Sequence, residues 1–206
     1  MYAIVTDNEI TKFINHPKSM VIGDVRYPAK IFQLWSQSEL NAIGIYEVIT
    51  DSSNKKDEKW YINTNESYSF ADNQVTRSWG TATPKAYADS LWTQADSDDG
   101  DLPDDKEVGD VKVEGLKTQL IKTLKEQVAN ELAKTDWYIT RNTEKSTAIP
   151  SAISTHRDAV RTKQAEMETA ITNASNTPAL ETLYTYTEQD DGSVTRPLGE
   201  LPTLES

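Results

Sequence analysis

The stretch from Gln94 to Asp110, QADSDDGDLPDDKEVGD, constrains this chain more than any other. It holds eight acidic residues against the single Lys106, and almost no apolar side chains. Such a run has too little to bury to offset the entropy lost in ordering it. It reads as an exposed linker between two packing units. The expected class is α+β. The expected layout is a β-rich domain with short helices over 1–93, the acidic linker over 94–110, a helical hairpin over 111–176, and a short helix with an extended tail over 177–206.

The first unit shows its elements through local signals. YAIVT and ITKFIN are short β-like runs separated by the turn-prone Asp7-Asn8-Glu9, which makes an opening hairpin. Ser36 and Glu39 fit a capping box and predict a helix near 37–43, ended by Gly44 in the left-handed region. Strands are expected at Ile45 to Thr50, Lys59 to Thr64, Ser67 to Ala71 and Gln74 to Trp79, with Asp72-Asn73 turning the last pair. Thr83-Pro84 reads as an N-cap with proline at the first helical position. Tyr87 and Leu91 would face inward from that helix.

The second unit reads as helical. Val113, Leu116, Leu120, Leu124, Val128 and Leu132 recur every three or four residues. A second helix is expected to start near Pro150, with Ile153, Val160, Met167, Ile171 and Ala174 as its stripe and His156 and Lys163 interrupting the seam. Two antiparallel helices are the simplest arrangement. Trp137, Tyr138 and Ile139 are expected to anchor the connection between them. Thr177-Pro178 could cap a short helix, ALETLY. The polar tail beyond Tyr186 reads as extended, ordered only through contacts with something else.

Composition narrows the chemistry. The formal charge is −12, so nucleic acid and anionic membrane surfaces are disfavoured partners. The chain has no cysteine, which removes thiol nucleophiles and thiolate metal sites. No run approaches the roughly 20 apolar residues of a membrane span. The start, MYAIVTDNEI, shows no signal peptide, so synthesis in a cytoplasm is expected.

Candidate sites each meet a plainer reading. His16, before Pro17, and His156, beside Arg157, lack any spacing that pairs them with a ligand or nucleophile. Both read as surface or helix-edge histidines. Asp96, Asp98 and Glu107 fall at positions one, three and twelve of an EF-hand register. That register breaks at Gly100, which stands fifth rather than sixth, and at Pro103. Trp35, Trp60, Tyr61, Tyr68, Phe70 and Trp79 would form either a sugar- or protein-binding surface or the filling of a small β-core, and the core is the favoured reading. No nucleotide-binding or serine-hydrolase motif is present. No catalytic, cofactor-binding or metal-binding residue is expected, and the chain reads as a non-enzyme.

Three stretches carry a resemblance: VRYPAKIFQLWSQSELNAIGIYEV; GDVKVEGLKTQLIKTLKEQVANELAKTDWYITRNTEKSTAIPSAISTHRDAVR; and EMETAITNASNTPALETLY. Together they resemble small proteins of tailed bacteriophages, particularly of marine bacteria, encoded near tail and tail-fibre genes. A helix, then TDWY, then an Ala-Ile-Pro helix ending in Arg is also similar to the C-terminal part of tail-fibre assembly and tail assembly chaperone proteins. The resemblance implies a non-catalytic virion protein of the tail, made in the host cytoplasm. Its implied partners are fibre, baseplate or tail-tube proteins, with self-association through the helices. The alternative it implies is an assembly chaperone that does not stay in the particle.

Overall fold

A computed structural model describes residues 1–204 of the chain. The chain is α+β, as its sequence predicts. Its two compact units are Met1–Thr83 and Pro84–Ser206. The division therefore falls ten residues before the expected end of the first domain at residue 93.

In the first unit, β1 (Tyr2–Thr6) and β2 (Glu9–Ile14) form the expected opening hairpin. Asp7 and Asn8, the two loop residues, have φ of 52° and 64°. These are the paired left-handed conformations of a type I′ turn, which Asp and Asn tolerate. A small hairpin of β3 (Met20–Ile22) and β4 (Val25–Tyr27) follows, then α1 (Ile31–Leu34). The capping box closes on α2 (Gln37–Ala42): Ser36 Oγ accepts from the Glu39 amide, and the Glu39 carboxylate accepts from the Ser36 amide. Gly44 ends that turn at φ 80°. A Cβ there would meet the Val5 carbonyl oxygen at 2.7 Å, while the Gly44 carbonyl accepts from the Val5 amide at 2.8 Å.

The sheet is completed by β5 (Ile45–Thr50), β7 (Ser67–Ala71) and β8 (Gln74–Ser78), with the short β6 (Tyr61–Ile62) in the connection. Its order is β2-β1-β5-β8-β7, antiparallel except for the β5–β8 pair. The sheet curls into a half-barrel. Its two edge strands meet through the rings of Phe13 and Tyr68, 4.5 Å apart. Ala3, Ile14, Ile31, Leu40, Ile45 and Val75 fill the interior. The strand expected at Lys59–Thr64 shrinks to two residues for a local reason. Asp57 takes the amides of Lys59, Trp60 and Tyr61, through its carboxylate and its carbonyl, before they can enter a ladder.

The second unit corrects the expectation for Thr83–Leu91. No helix forms there. The two-residue strand β9 (Thr83–Pro84) stands at the junction, and β10 (Ser90–Leu91) pairs with β11 (Val111–Val113). The backbone between them is committed elsewhere. Ala86 and Tyr87 carbonyls accept from the amides of Leu116 and Lys117, and the Asp89 carboxylate accepts from Gly115 N and Thr118 Oγ1. Together they cap the start of α4 (Leu116–Ala133), whose first amides have no partner within the helix. Tyr87 and Leu91 are exposed.

The acidic run is not a free linker between units. It lies inside the second unit, as a loop closed at its neck by Trp92 N to Asp110 O and Gly109 N to Trp92 O. Thr93 and Asp96 form a capping box on α3 (Gln94–Asp98). Asp96 also pairs with Lys112, whose ammonium lies over the Trp92 ring. These local bonds order a segment that has little to bury.

The long helices are α4 and α6 (Ser151–Asn173), joined through α5 (Asp136–Lys145). They run antiparallel: Lys117 reaches the Thr172 carbonyl at one end and Arg157 the Leu132 carbonyl at the other. Leu116, Leu124 and Val128 of α4 are buried, as are Ile153, Val160, Met167 and Ile171 of α6. Val113 stands outside the helix, on β11. After α7 (Thr177–Tyr184), which Asn176 caps, the tail folds back rather than waiting for a partner. β12 (Thr187–Glu188) pairs with β13 (Val194–Thr195), Leu198 is buried, and its amide donates to the Leu183 carbonyl.

Candidate functional site

The connection TDWYITRNTEKSTAI folds mostly as α5, and its anchor is not the expected one. Trp137 is 52% exposed and Ile139 is also exposed, so neither fastens the connection. The anchor is polar. Thr135, 1% exposed, sits between α4 and α5 and donates its hydroxyl to the Leu132 carbonyl. From α6, Arg157 Nη1 donates to Leu132 O at 2.8 Å, Thr135 Oγ1 at 2.7 Å and Asp136 Oδ1 at 2.8 Å. One buried guanidinium thus holds the end of α4 and the start of α5. It satisfies a helix-end carbonyl, and Asp136 places a negative charge at the positive end of α5.

What this clamp presents is an aromatic patch. The rings of Trp137 and Tyr138 lie 3.8 Å apart, and the Arg141 guanidinium stacks 4.7 Å from the first and 5.4 Å from the second. The spacing of one helical turn brings Arg141 back over both rings. Tyr138 and Arg141 are half-buried, which leaves the indole of Trp137 as the open part of the patch. Ser146, at φ 54°, ends α5, and Asn142 turns the chain toward α6 by donating to the Thr147 carbonyl.

His156, read from sequence as a surface or helix-edge residue that interrupts the seam, is buried in that seam. It is 8% exposed between α4 and α6, with Nε2 3.3 Å from Glu131 Oε1. The pair is within electrostatic reach but off the line of a hydrogen bond. The Lys134 ammonium, and secondarily His156, hold the Glu131 carboxyl below the ordinary range. Helical spacing from Ile153 sets position 156 on the seam of α6, and the burial follows that spacing. His16 is exposed, as expected.

The other sequence candidates disperse. Trp60, Tyr61 and Trp79 are buried core residues, while Trp35, Tyr68 and Phe70 are half-buried. Asp96 is engaged by Lys112 and Thr93, which hold its carboxyl at about 2. Among the described residues, no group of three His, Cys, Asp or Glu side chains is placed to hold a metal ion. No described helix is long and apolar enough to cross a membrane.

No protein-family model matches the chain, and no curated protein or solved structure is significantly similar to it.

Proposed function

We propose that this chain is a non-catalytic accessory protein of a bacteriophage tail, acting through contacts with other tail proteins at the fibre or baseplate. The carrying observation is the patch of Trp137, Tyr138 and Arg141, held in place by the Arg157 clamp. Tryptophan, tyrosine and arginine are the residues most enriched at protein-binding hot spots. An open indole on a rigid helix loses little entropy when a partner covers it. The same segment carries the phage resemblance, and Asp136, Trp137, Tyr138 and Arg157 all belong to the quoted motif.

Mass spectrometry of virions from the encoding phage tests this reading. The protein is expected among the tail proteins, and Trp137→Ala should deplete it from particles while leaving its level in the lysate. Absence of the wild-type protein from intact virions sinks the structural reading.

The second reading is a tail-fibre assembly chaperone, made in the host cytoplasm and released. It is favoured by the position of the TDWY-to-Arg motif on α5 and α6, the part similar to those chaperones. Co-expression with the fibre gene separates the two. A fibre that folds equally well without this chain removes the chaperone.

A further inference from the structure

The first unit carries two copies of one device. Asp7-Asn8 and Asp72-Asn73 are both two-residue hairpin loops, with φ of 52° and 64° in one and 51° and 61° in the other. Both loops line one cleft of about 530 Å³, together with Tyr46 and Phe70, whose ring centres are 4.8 Å apart. A second cleft of about 240 Å³ shares Tyr46, Asp72 and Asn73 with the first. It continues past the amides of Gln37, Asn41 and Gln74 and the carboxylate of Glu47. The larger cleft is within the range of small-ligand sites, roughly 300–1,000 Å³.

The chemistry of the walls is specific. Carboxylates accept hydrogen bonds, amides donate and accept, and the Tyr46 hydroxyl does both. Among the described residues the internal side-chain bonds are from Tyr46 Oη to Asn73 Oδ1 at 3.0 Å and, in the second cleft, between the Gln37 and Asn41 amides at 2.7 Å. Asp7, Asn8 and Asp72 make no side-chain hydrogen bond or ion pair among the described residues. Glycine suits the second loop position of a type I′ turn best, yet both loops place an asparagine there. The amide side chain is present where the backbone alone would favour none. No lysine, arginine or histidine lines either cleft.

We propose that this groove binds a neutral saccharide. A pyranose offers alternating hydroxyl donors and acceptors around its rim, which matches interleaved amides and carboxylates. Its C–H face is apolar, which matches the exposed parts of the two rings. Two joined clefts sharing Tyr46 and Asn73 would take adjacent sugar units. The uncompensated carboxylates exclude uronates, sialates and phosphorylated sugars by repulsion. A basic side chain would want the carboxylates, but would leave the donor half of the amides unused. The site lies wholly within the first unit and is independent of the tail reading, which rests on α5.

The test uses the full-length protein on a printed array of neutral and acidic oligosaccharides. Neutral hits are then titrated against ¹⁵N-labelled protein by NMR, with trigalacturonate and L-arginine as comparators. Saturable shifts are expected at residues 7–8, 46 and 72–73 with a neutral glycan and not with trigalacturonate. Asn8→Gly and Asn73→Gly keep both turns, because glycine adopts their φ readily. Each should weaken binding about tenfold, the size of one lost hydrogen bond, with the spectrum otherwise folded. Tyr46→Ala should abolish binding. The proposal is overturned if no neutral glycan binds, if trigalacturonate binds equally well, if L-arginine alone shifts the groove, or if both glycine variants bind like the wild type.

Discussion

Arg157 Nη1 lies 2.8 Å from Asp136 Oδ1, yet the two partners sit in different surroundings: the arginine side chain is 9% exposed and the aspartate 60%. The contact fastens a solvent-facing helix start to the interior of the second unit. Its energetics are unequal, because removing Arg157 deletes three hydrogen bonds and removing Asp136 deletes one.

Arg157→Ala should therefore destabilise the second unit by about 3 kcal/mol, the cost of losing three hydrogen bonds at the α4–α5 junction, with Thr135 Oγ1 left only the bond it donates to the Leu132 carbonyl. Asp136→Asn keeps an oxygen for Arg157 Nη1 at a position itself open to water and should cost about 1 kcal/mol. Urea denaturation followed by circular dichroism measures both. Equal losses would contradict the asymmetry.

Leu124 and Val128 are both buried on the α4 stripe. Leu124→Asp or Val128→Asp places a charge there without a partner and should cost at least about 3 kcal/mol, enough to unfold the α4–α6 pair. Thermal melting of either variant checks this, and wild-type-like melting of both would show that the stripe is not a packing face.

Gly44→Ala should weaken the first unit. Its φ of 80° disfavours a side chain by about 1–2 kcal/mol, and a Cβ would collide with the Val5 carbonyl at 2.7 Å. Hydrogen exchange of the β1 and β5 amides is the measurement, and faster exchange in both strands is expected.

Asp96 titrates at about 2, held below its ordinary 3.8 first by Lys112 and then by Thr93. A carboxyl whose folded value is depressed contributes stability above the unfolded value, and loses it as pH falls through the folded one. The contribution to loop closure is thus complete above about 4 and gone below about 2. Carbonyl-detected NMR reads the titration directly. Lys112→Ala should move it upward toward 3.8, and an unmoved midpoint would assign the shift to Thr93 alone.

Trp137→Ala should leave stability within about 0.5 kcal/mol, since the ring is half open to solvent. Its cost should appear only in particle incorporation or fibre folding. A large drop in melting temperature would make the indole a packing residue instead.

Much of this was legible along the chain. The capping box at Ser36 and Glu39, the two Asp-Asn turns, and the stripes of α4 and α6 all follow from interactions within about four residues of each other. The misreadings share one cause. Thr83-Pro84 has every local sign of a helix start, but the carbonyls of Ala86 and Tyr87 are taken by amides thirty residues away. The acidic run has few apolar side chains, but its neck is closed by bonds between Trp92 and the backbone of Gly109 and Asp110. Nothing local to Arg157 shows that it is buried, because its partners, Leu132, Thr135 and Asp136, lie more than twenty residues away. The Tyr46 groove has no linear signature at all, because its walls come from three separate strands and two turns. Sequence alone determined where the chain turns, caps and repeats its apolar face, since those are short-range preferences. Tertiary structure decided which polar groups found partners and which stayed open, because those bonds join residues that only folding brings together.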